Sequence, residues 1–144
     1  METKDMGLIE RLRFKFWDPL RMISSLIQEW KPIRCKTEKE YEKSLYSFLH
    51  KRLEDIQVTK QYAKGRIRAD LVVGDQVIVE LKNNFNTTAK YQKLIGQLAE
   101  YEEWGGQIIV VLTGDTDANL YKELMKSASE EDDEGEERII VIQK

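Results

Sequence analysis

The amino-acid sequence predicts an α/β fold in which a mixed β-sheet is flanked by helices. Apolar residues follow helical spacing in two stretches before residue 55, and three short β-branched runs come next. The predicted order is helix, helix, three strands, helix, strand, helix, strand. With 144 residues, the chain is long enough to bury a sizeable core in one compact domain.

The first two predicted helices begin at capping residues. Asp18 is the predicted N-cap of an amphipathic helix that has Pro19 at its first position and ends at "KPIRC". Thr37 stands three residues before Glu40, a capping-box arrangement that predicts a second helix from about Thr37 to Glu54. Both helices have one apolar face, so we expect them to pack on the sheet.

The central part of the chain predicts an antiparallel meander. The turn signals "AKG" and "GDQ" separate three β-branched runs, which are "IQVTKQY", "RIRADLVV" and "QVIVELK". A helix closed by Gly105, a strand, a helix and a final strand follow, with the sequences "NTTAKYQKLIGQLAEYEEWGG", "QIIVVLT", "DANLYKELMKSA" and "RIIVIQK". We predict a main domain over residues 37–144, preceded by an N-terminal helical extension over residues 1–36, in one compact unit.

The composition excludes several kinds of chemistry. Cys35 is the only cysteine and His50 the only histidine, which excludes disulfide frameworks, zinc sites of Cys and His, and most histidine-based catalysis. Any metal site must therefore use oxygen ligands. The apolar stretches are far shorter than a membrane span, and "METKDMGLIERLRFKF" lacks the apolar region of a signal peptide, so a cytoplasmic protein is expected.

Charge is distributed unevenly along the chain. The net charge is only −3, but residues 31–68 hold eleven Lys or Arg against five Asp or Glu. Residues 115–137 hold ten acidic residues against two lysines, and the run within them at 130–137 is predicted to be a solvated loop. The basic half of the chain is the side on which nucleic acid is expected to bind.

The stretch "RIRADLVVGDQVIVELK", residues 66–82, places three charged side chains within predicted core strands. Burying a charge is unfavourable unless another charge, a hydrogen bond or a metal compensates it. Asp70, Glu80 and Lys82 must therefore be neutralised. Because alternate residues of a strand share a face, Glu80 and Lys82 project together.

The loop between these two strands decides whether the carboxylates meet. A two-residue turn at Gly74 and Asp75 would set Asp70 and Glu80 on opposite faces, whereas a three-residue Gly-Asp-Gln loop would pair them directly. We predict the three-residue loop, or a bulge with the same effect.

Two carboxylates at cross-strand distance repel each other and raise each other's pKa unless a cation lies between them. Mg²⁺ is the natural cation, since it accepts one or two protein carboxylates and leaves its other positions to water and substrate phosphate. Such an ion steadies the charge on a scissile phosphate, while Lys82 stabilises the attacking hydroxide or the developing charge. The predicted reaction is phosphodiester hydrolysis.

Asp70, nine intervening residues and then Glu80-Leu81-Lys82 resemble the PD-(D/E)xK core of restriction endonucleases, archaeal Holliday-junction resolvases, lambda-type exonucleases and RecB-like nucleases. The resemblance covers roughly residues 37–113. Ala69 precedes Asp70 where the eponymous motif has proline, a departure that weakens the assignment to a subfamily.

Two helices carry further matches to the same superfamily. The helix before the meander, which carries Glu42, is similar to the helix that supplies an active-site glutamate in archaeal resolvases. On the helix after the meander, Gln97 and Tyr101 match the Q-x-x-x-Y pattern of the RecB-like branch.

The resemblance implies a restriction-endonuclease-like fold and a DNA nuclease that uses Mg²⁺ or Mn²⁺. Lys82 would assist the nucleophile, and the carboxylates would hold the ion. The implied catalytic residues are Asp70, Glu80, Lys82, Glu42 and Gln97, and the implied metal ligands are Asp70, Glu80, Glu42 and the backbone carbonyl of Leu81.

Nucleic acid and a second copy of the chain are the predicted partners. Resolvases and restriction enzymes cut two strands as dimers, so the resemblance favours a homodimer, and Phe14, Phe16 and Trp17 leave an N-terminal contact open. Asn83 would either contact substrate or cap the next helix. The predicted contacts with nucleic acid come from Lys60, Lys64, Arg66, Arg68, Asn83 and Tyr101.

Other interpretations of the same residues stay open at this point. Glu80 and Lys82 pair equally well as a structural salt bridge on a strand, and Tyr101 suits an ordinary core. Within the nucleases, a RecB-like exonuclease or an enzyme acting on RNA is the alternative. Outside them, the alternative is a catalytically silent nuclease fold that binds DNA or protein.

Overall fold

The computed structural model describes residues 18–129 and 138–144. The predictions made for Phe14, Phe16, Trp17 and the acidic run 130–137 lie outside the described residues. None of the described helices is long and apolar enough to cross a membrane. The described helices are α1 (Pro19–Glu29), α2 (Glu38–Arg52), α3 (Thr88–Trp104) and α4 (Ala118–Ala128), and the strands are β1 (Val58–Lys64), β2 (Ile67–Val73), β3 (Val77–Asn83), β4 (Gln107–Thr113) and β5 (Ile139–Gln143).

The predicted caps are confirmed. The Asp18 carboxylate accepts a hydrogen bond from the backbone N–H of Arg21 at the start of α1. Thr37 and Glu40 form both halves of a capping box at α2, and Gly105 closes α3 in the left-handed region at φ 81°. Since glycine has no Cβ, this residue adopts that conformation without strain.

The capping box of α2 gives a first testable prediction. Replacing Thr37 by Ala removes the acceptor of the Glu40 N–H, so the free energy of unfolding should fall by about 1 kcal/mol. Urea denaturation followed by circular dichroism measures the loss. Thr88→Ala is the matched control, because Thr88 lies inside α3 next to its N-cap Thr87, and it should leave the unfolding midpoint nearly unchanged.

The five strands form one mixed sheet in the order β1-β2-β3-β4-β5. The first three strands pair antiparallel, as predicted, and β3, β4 and β5 pair parallel. The predicted α/β class, with a mixed sheet flanked by helices, is therefore confirmed. The helices α3 and α4 supply the crossovers that parallel neighbours require.

Each face of the sheet has its own buried core. Trp30, the C-cap of α1, and Leu45 of α2 belong to the core on one face, and Leu94 of α3 and Leu124 of α4 belong to the core on the other. The indole N–H of Trp30 also donates to the Ser44 hydroxyl at 3.1 Å and so ties α1 to α2. The division between an extension over 1–36 and a main domain stays a prediction.

The loop between β2 and β3 has three residues, as predicted. Residues 74–76 connect Val73 to Val77, which pair with each other, and the register continues to Leu71 opposite Val79. Gly74 and Asp75 have positive φ values of 58° and 56°. This register places residues 70 and 80 at the same level of the sheet.

Candidate functional site

The strand register and two helices bring four of the five predicted catalytic residues around one small cavity of about 220 Å³, here called the carboxylate cavity. Its lining comes from α2, from all three strands of the meander and from α3. The lining residues are Glu38, Gln61, Tyr62, Arg68, Ala69, Asp70, Glu80, Lys82, Lys93 and Gln97.

The alternation of β1 and β2 breaks where Gln61 lies across from Asp70. Ala69 packs in the core on the α3 side, yet Leu71, two residues on, packs in the core on the α1 and α2 side. Gln61 has a φ of 49°, an unusual value for a residue other than glycine. Because of this break, Asp70 lines both the carboxylate cavity and a larger cleft on the α2 side.

Asp70 interrupts the backbone ladder between β2 and β3. Its Oδ2 accepts the backbone N–H of Leu81 at 2.8 Å, and its own N–H points to Glu80 Oε2 at 3.4 Å. Burial, reinforced by the charge of Glu80, raises the pKa of Asp70 to about 7, against the lowering effect of the Leu81 N–H. The charge of Glu80 therefore raises the pKa of Asp70, as expected for two carboxylates at cross-strand distance.

Glu80 is the most enclosed charged group of the site, with 2% of its surface exposed. Lys82 Nζ lies 3.2 Å from Oε1, and Gln97 Nε2 donates to the same oxygen at 3.4 Å. Burial raises the pKa of Glu80, while the Lys82 ammonium and the Tyr101 hydroxyl oppose the shift. Glu80 and Lys82 thus share one face of β3, as predicted, and form an ion pair.

Tyr101 is a core residue with a hydrogen-bonded hydroxyl, which is the alternative that its sequence pattern left open. Its side chain is fully buried in this structure, and its predicted contact with nucleic acid stays a prediction. Its hydroxyl lies 2.6 Å from the Arg68 carbonyl oxygen and 3.0 Å from Glu80 Oε2. Burial and the charge of Glu80 raise the pKa of Tyr101, so the hydroxyl keeps its proton and links β2 to β3 through α3.

Removing the Tyr101 hydroxyl tests this link. Tyr101→Phe leaves the Arg68 carbonyl and one Glu80 oxygen with fewer partners in a buried setting, so the free energy of unfolding should fall by about 1–2 kcal/mol. Urea denaturation measures this loss in the free energy of unfolding. Tyr91→Phe is the matched control, because Tyr91 lies on the same helix with a half-buried ring against Phe85. Equal unfolding midpoints for the two variants would contradict a structural role for the Tyr101 hydroxyl.

Glu42 lies in the larger cleft rather than in the carboxylate cavity. This cleft, here called the lysine cleft, has a volume of about 600 Å³. The Glu42 carboxylate accepts a hydrogen bond from Gln61 Nε2 at 2.7 Å, and its charge contributes to the raised pKa of Asp70. The lining residues are Glu38, Lys39, Glu42, Lys43, Lys60, Gln61 and Asp70.

The donor atoms of the carboxylate cavity fit a divalent cation with oxygen ligands. Asp70 and Glu80 supply carboxylates, and the Leu81 carbonyl points toward β2 because the N–H of the same residue does so. Gln97 Oε1 is a buried oxygen without a hydrogen-bond partner. Among residues 18–129 and 138–144, no three His, Cys, Asp or Glu side chains are grouped closely enough to hold a metal. Glu42 as a third carboxylate ligand therefore stays a prediction.

The predicted nucleic-acid contacts are spread over several surfaces. Arg68 lines the carboxylate cavity, but its guanidinium donates to the carbonyls of Gly65 and Ile67. Lys60 lies over the ring of Tyr46 at 4.9 Å and lines the lysine cleft. Lys64 is exposed at the end of β1.

Arg66 and Asn83 have other surroundings than predicted. Arg66 lines a separate cavity of about 350 Å³ together with Trp104 and the carboxylates of Glu100 and Glu103. Arg66 therefore lies outside the carboxylate cavity, and its contact with nucleic acid stays a prediction. Asn83 donates its N–H to Glu38 and its amide to the Lys36 carbonyl, and Thr87 caps α3 instead. Its polar groups tie β3 to the start of α2.

Sequence reasoning missed Gln61, Lys39 and Lys43. The two lysines are one turn apart on α2, so their spacing alone places them on one face next to Glu42. Gln61 gives no such signal, because its position follows from the break in β1. Comparisons of the chain with protein-family models, with curated proteins and with solved structures found no match.

Proposed function

We propose that this protein is a metal-dependent DNA nuclease of the restriction-endonuclease-like fold that acts in the cytoplasm. The observation that carries the proposal is the convergence of Asp70 and Glu80, from adjacent antiparallel strands, on one cavity with Lys82. Core strands seldom bury three charged groups together unless those groups serve chemistry or bind an ion. The order of α2, the meander, α3 and β4 agrees with the resemblance in the sequence.

The cation would be held by the carboxylates of Asp70 and Glu80 and by the Leu81 carbonyl. When bound, a divalent ion lowers the pKa of a coordinated water and stabilises negative charge on a scissile phosphate. Mg²⁺ and Mn²⁺ suit these oxygen donors. Gln97 donates to Glu80, and its Oε1 is buried without a hydrogen-bond partner, so we propose that it orients a water molecule.

Lys82 is the cation that the chain itself supplies. Its side chain is 13% exposed, so its ammonium group lies beside Glu80 in a setting where water screens charge weakly. From this position it lowers the pKa of Glu80 against the raising effect of burial, and it places positive charge near the attacking hydroxide or the developing charge on phosphate. Tyr101 and the Leu81 N–H fix the two carboxylates and so maintain the geometry.

The lysine cleft gives duplex DNA a path to the carboxylates. Asp70 lines both spaces, and Lys39, Lys43 and Lys60 line the cleft. Lysine ammonium groups bind backbone phosphates without regard to sequence, and such contacts position the duplex. The backbone would therefore enter between α2 and β1.

The experiment is incubation of the purified protein with supercoiled plasmid, linear duplex, a four-way junction and single-stranded RNA, in Mg²⁺, Mn²⁺ or chelator. We expect cleavage of DNA with either metal and none with chelator. Nicked and linear plasmid would identify an endonuclease, whereas loss of linear DNA only from its ends would identify an exonuclease. RNA cleavage without DNA cleavage, or no metal-dependent cleavage of any substrate, would contradict the proposal.

A catalytically silent DNA-binding module is the second candidate. It is favoured by one observation: Glu80 has Lys82, Gln97 and Tyr101 as partners within the chain itself. Such a module would bind DNA with an affinity that falls as salt rises, but would cleave nothing in any metal.

A further inference from the structure

The two edges of the sheet differ in how they are protected. β1, at one edge, carries the exposed residues Lys60 and Lys64 and the irregular Gln61. Charged side chains and irregular backbone are two ways in which proteins prevent an edge strand from pairing with another chain. β5, at the other edge, runs Ile-Ile-Val-Ile-Gln with no charge, no proline and no positive φ.

The faces of β5 are partly covered, and its outer edge is not paired by any strand in the described part of the chain. Ile140 packs in the core on the α1 side and Val141 in the core on the α3 side. Both α1 and α4 contact the strand. Among residues 18–129 and 138–144, the groups of β5 that no strand pairs are therefore those of its outer backbone edge.

The hydrogen bonds to β4 show which backbone groups face outward. The Arg138 carbonyl accepts from Ile108 N–H, and the Lys144 N–H donates to the Leu112 carbonyl. Residues of a strand alternate between its two neighbours. The even-numbered residues of β5 therefore bond to β4, and the N–H and C=O groups of Ile139, Val141 and Gln143 point away from the sheet.

We infer that β5 pairs antiparallel with β5 of a second copy of this chain, with Val141 on the two-fold axis. This register sets Ile139 opposite the partner's Gln143 and Val141 opposite the partner's Val141. Each outward donor then meets an acceptor, which gives two hydrogen bonds for each of three residue pairs. The two five-stranded sheets become one continuous sheet, and the same patch serves both copies, as a two-fold interface requires.

A second copy of the chain fits this edge because β5 can pair with another β5 in the antiparallel register. The five residues carry no charge, so self-pairing places no like-charged β5 side chains opposite one another. The pairing is independent of the nuclease proposal, because Asp70 and Glu80 lie on β2 and β3, on the other side of β4.

Sedimentation velocity over a range of protein concentrations tests the inference on the full chain. We expect a reversible dimer whose dissociation constant rises by roughly tenfold or more in Val141→Pro, which removes an outward N–H without breaking a bond to β4. Gln143→Pro removes another outward N–H near the chain end and carries the test if the first variant does not fold. The matched control is Lys60→Pro at the opposite edge. Gly74 N–H donates to the Gln57 carbonyl, so by alternation the Lys60 N–H points away from β2, and this variant should dimerise like the wild type.

Residue-resolved hydrogen exchange tests the register. The amides of Ile139, Val141 and Gln143 should gain protection as protein concentration rises, in step with the dimer fraction. A wild-type protein that is monomeric at all concentrations would overturn the inference. So would a dimer unaffected by both β5 prolines, or protection of these amides that does not depend on concentration, which would show that another part of the same chain covers the edge.

Discussion

Lys82→Ala should abolish metal-dependent DNA cleavage while leaving most of the affinity for DNA. The ammonium group lies 3.2 Å from Glu80 within the carboxylate cavity and is the only cation in an ion pair with a site carboxylate among the described residues. Its loss removes the charge that we propose assists the nucleophile, and it removes the partner of a buried carboxylate. We expect the cleavage rate to fall by about 10³-fold, which corresponds to ~4 kcal/mol of transition-state stabilisation.

A plasmid-nicking time course measures the rate, and fluorescence anisotropy with labelled duplex measures binding. Lys126→Ala is the matched control, because Lys126 is an exposed lysine on α4 that pairs only with the neighbouring Glu123. It should cleave at the wild-type rate. A cleavage rate of Lys82→Ala within a few-fold of the wild-type rate would contradict a catalytic role for Lys82.

Asp70→Asn should have opposite effects on stability and on activity. Burial and Glu80 raise the pKa of Asp70 to about 7 from its ordinary value of 3.8, so the folded protein without metal holds an unfavourable charge at high pH. Asparagine keeps an oxygen for the Leu81 N–H but carries no charge. At pH 8 with chelator, the variant should be more stable to unfolding by about 2–4 kcal/mol, and it should not cleave DNA.

The raised pKa of Asp70 determines how the stability difference between Asp70→Asn and wild type changes with pH. Between the unfolded and folded pKa values the native state holds the extra proton, so the penalty grows as pH rises through that window and is complete above about 7. The stability gap between Asp70→Asn and wild type should therefore narrow as the pH is lowered from 8 to 5. Urea denaturation at both values measures the gap. A variant less stable than wild type at pH 8 would contradict a charge penalty at Asp70.

Local sequence signals account for most of the fold. The caps at Asp18, Thr37 and Gly105 depend on neighbouring residues alone, so the sequence predicts the helix limits closely. The Gly-Asp-Gln loop fixes the strand register through its length and therefore brings Asp70 and Glu80 to one level.

The details of the site that depend on long-range packing could not be predicted from local sequence signals. Arg66 lies in the turn between β1 and β2, so it lines a separate cavity against α3 although it is four residues from Asp70. Tyr101 matches a sequence pattern, yet its burial under the sheet turns its hydroxyl toward Glu80 rather than toward a substrate. Both outcomes follow from how α3 packs on β2 and β3, which no local spacing encodes.

Direct observation of metal binding tests the central claim, that Asp70 and Glu80 together hold a divalent cation. In a Mn²⁺ titration of the isotope-labelled protein, paramagnetic broadening should first remove the backbone amide signals of Asp70, Glu80 and Leu81. The same signals should survive in Asp70→Asn at equal metal concentration. Broadening that begins instead at the acidic run 130–137, with the signals of β2 and β3 unchanged, would contradict the claim.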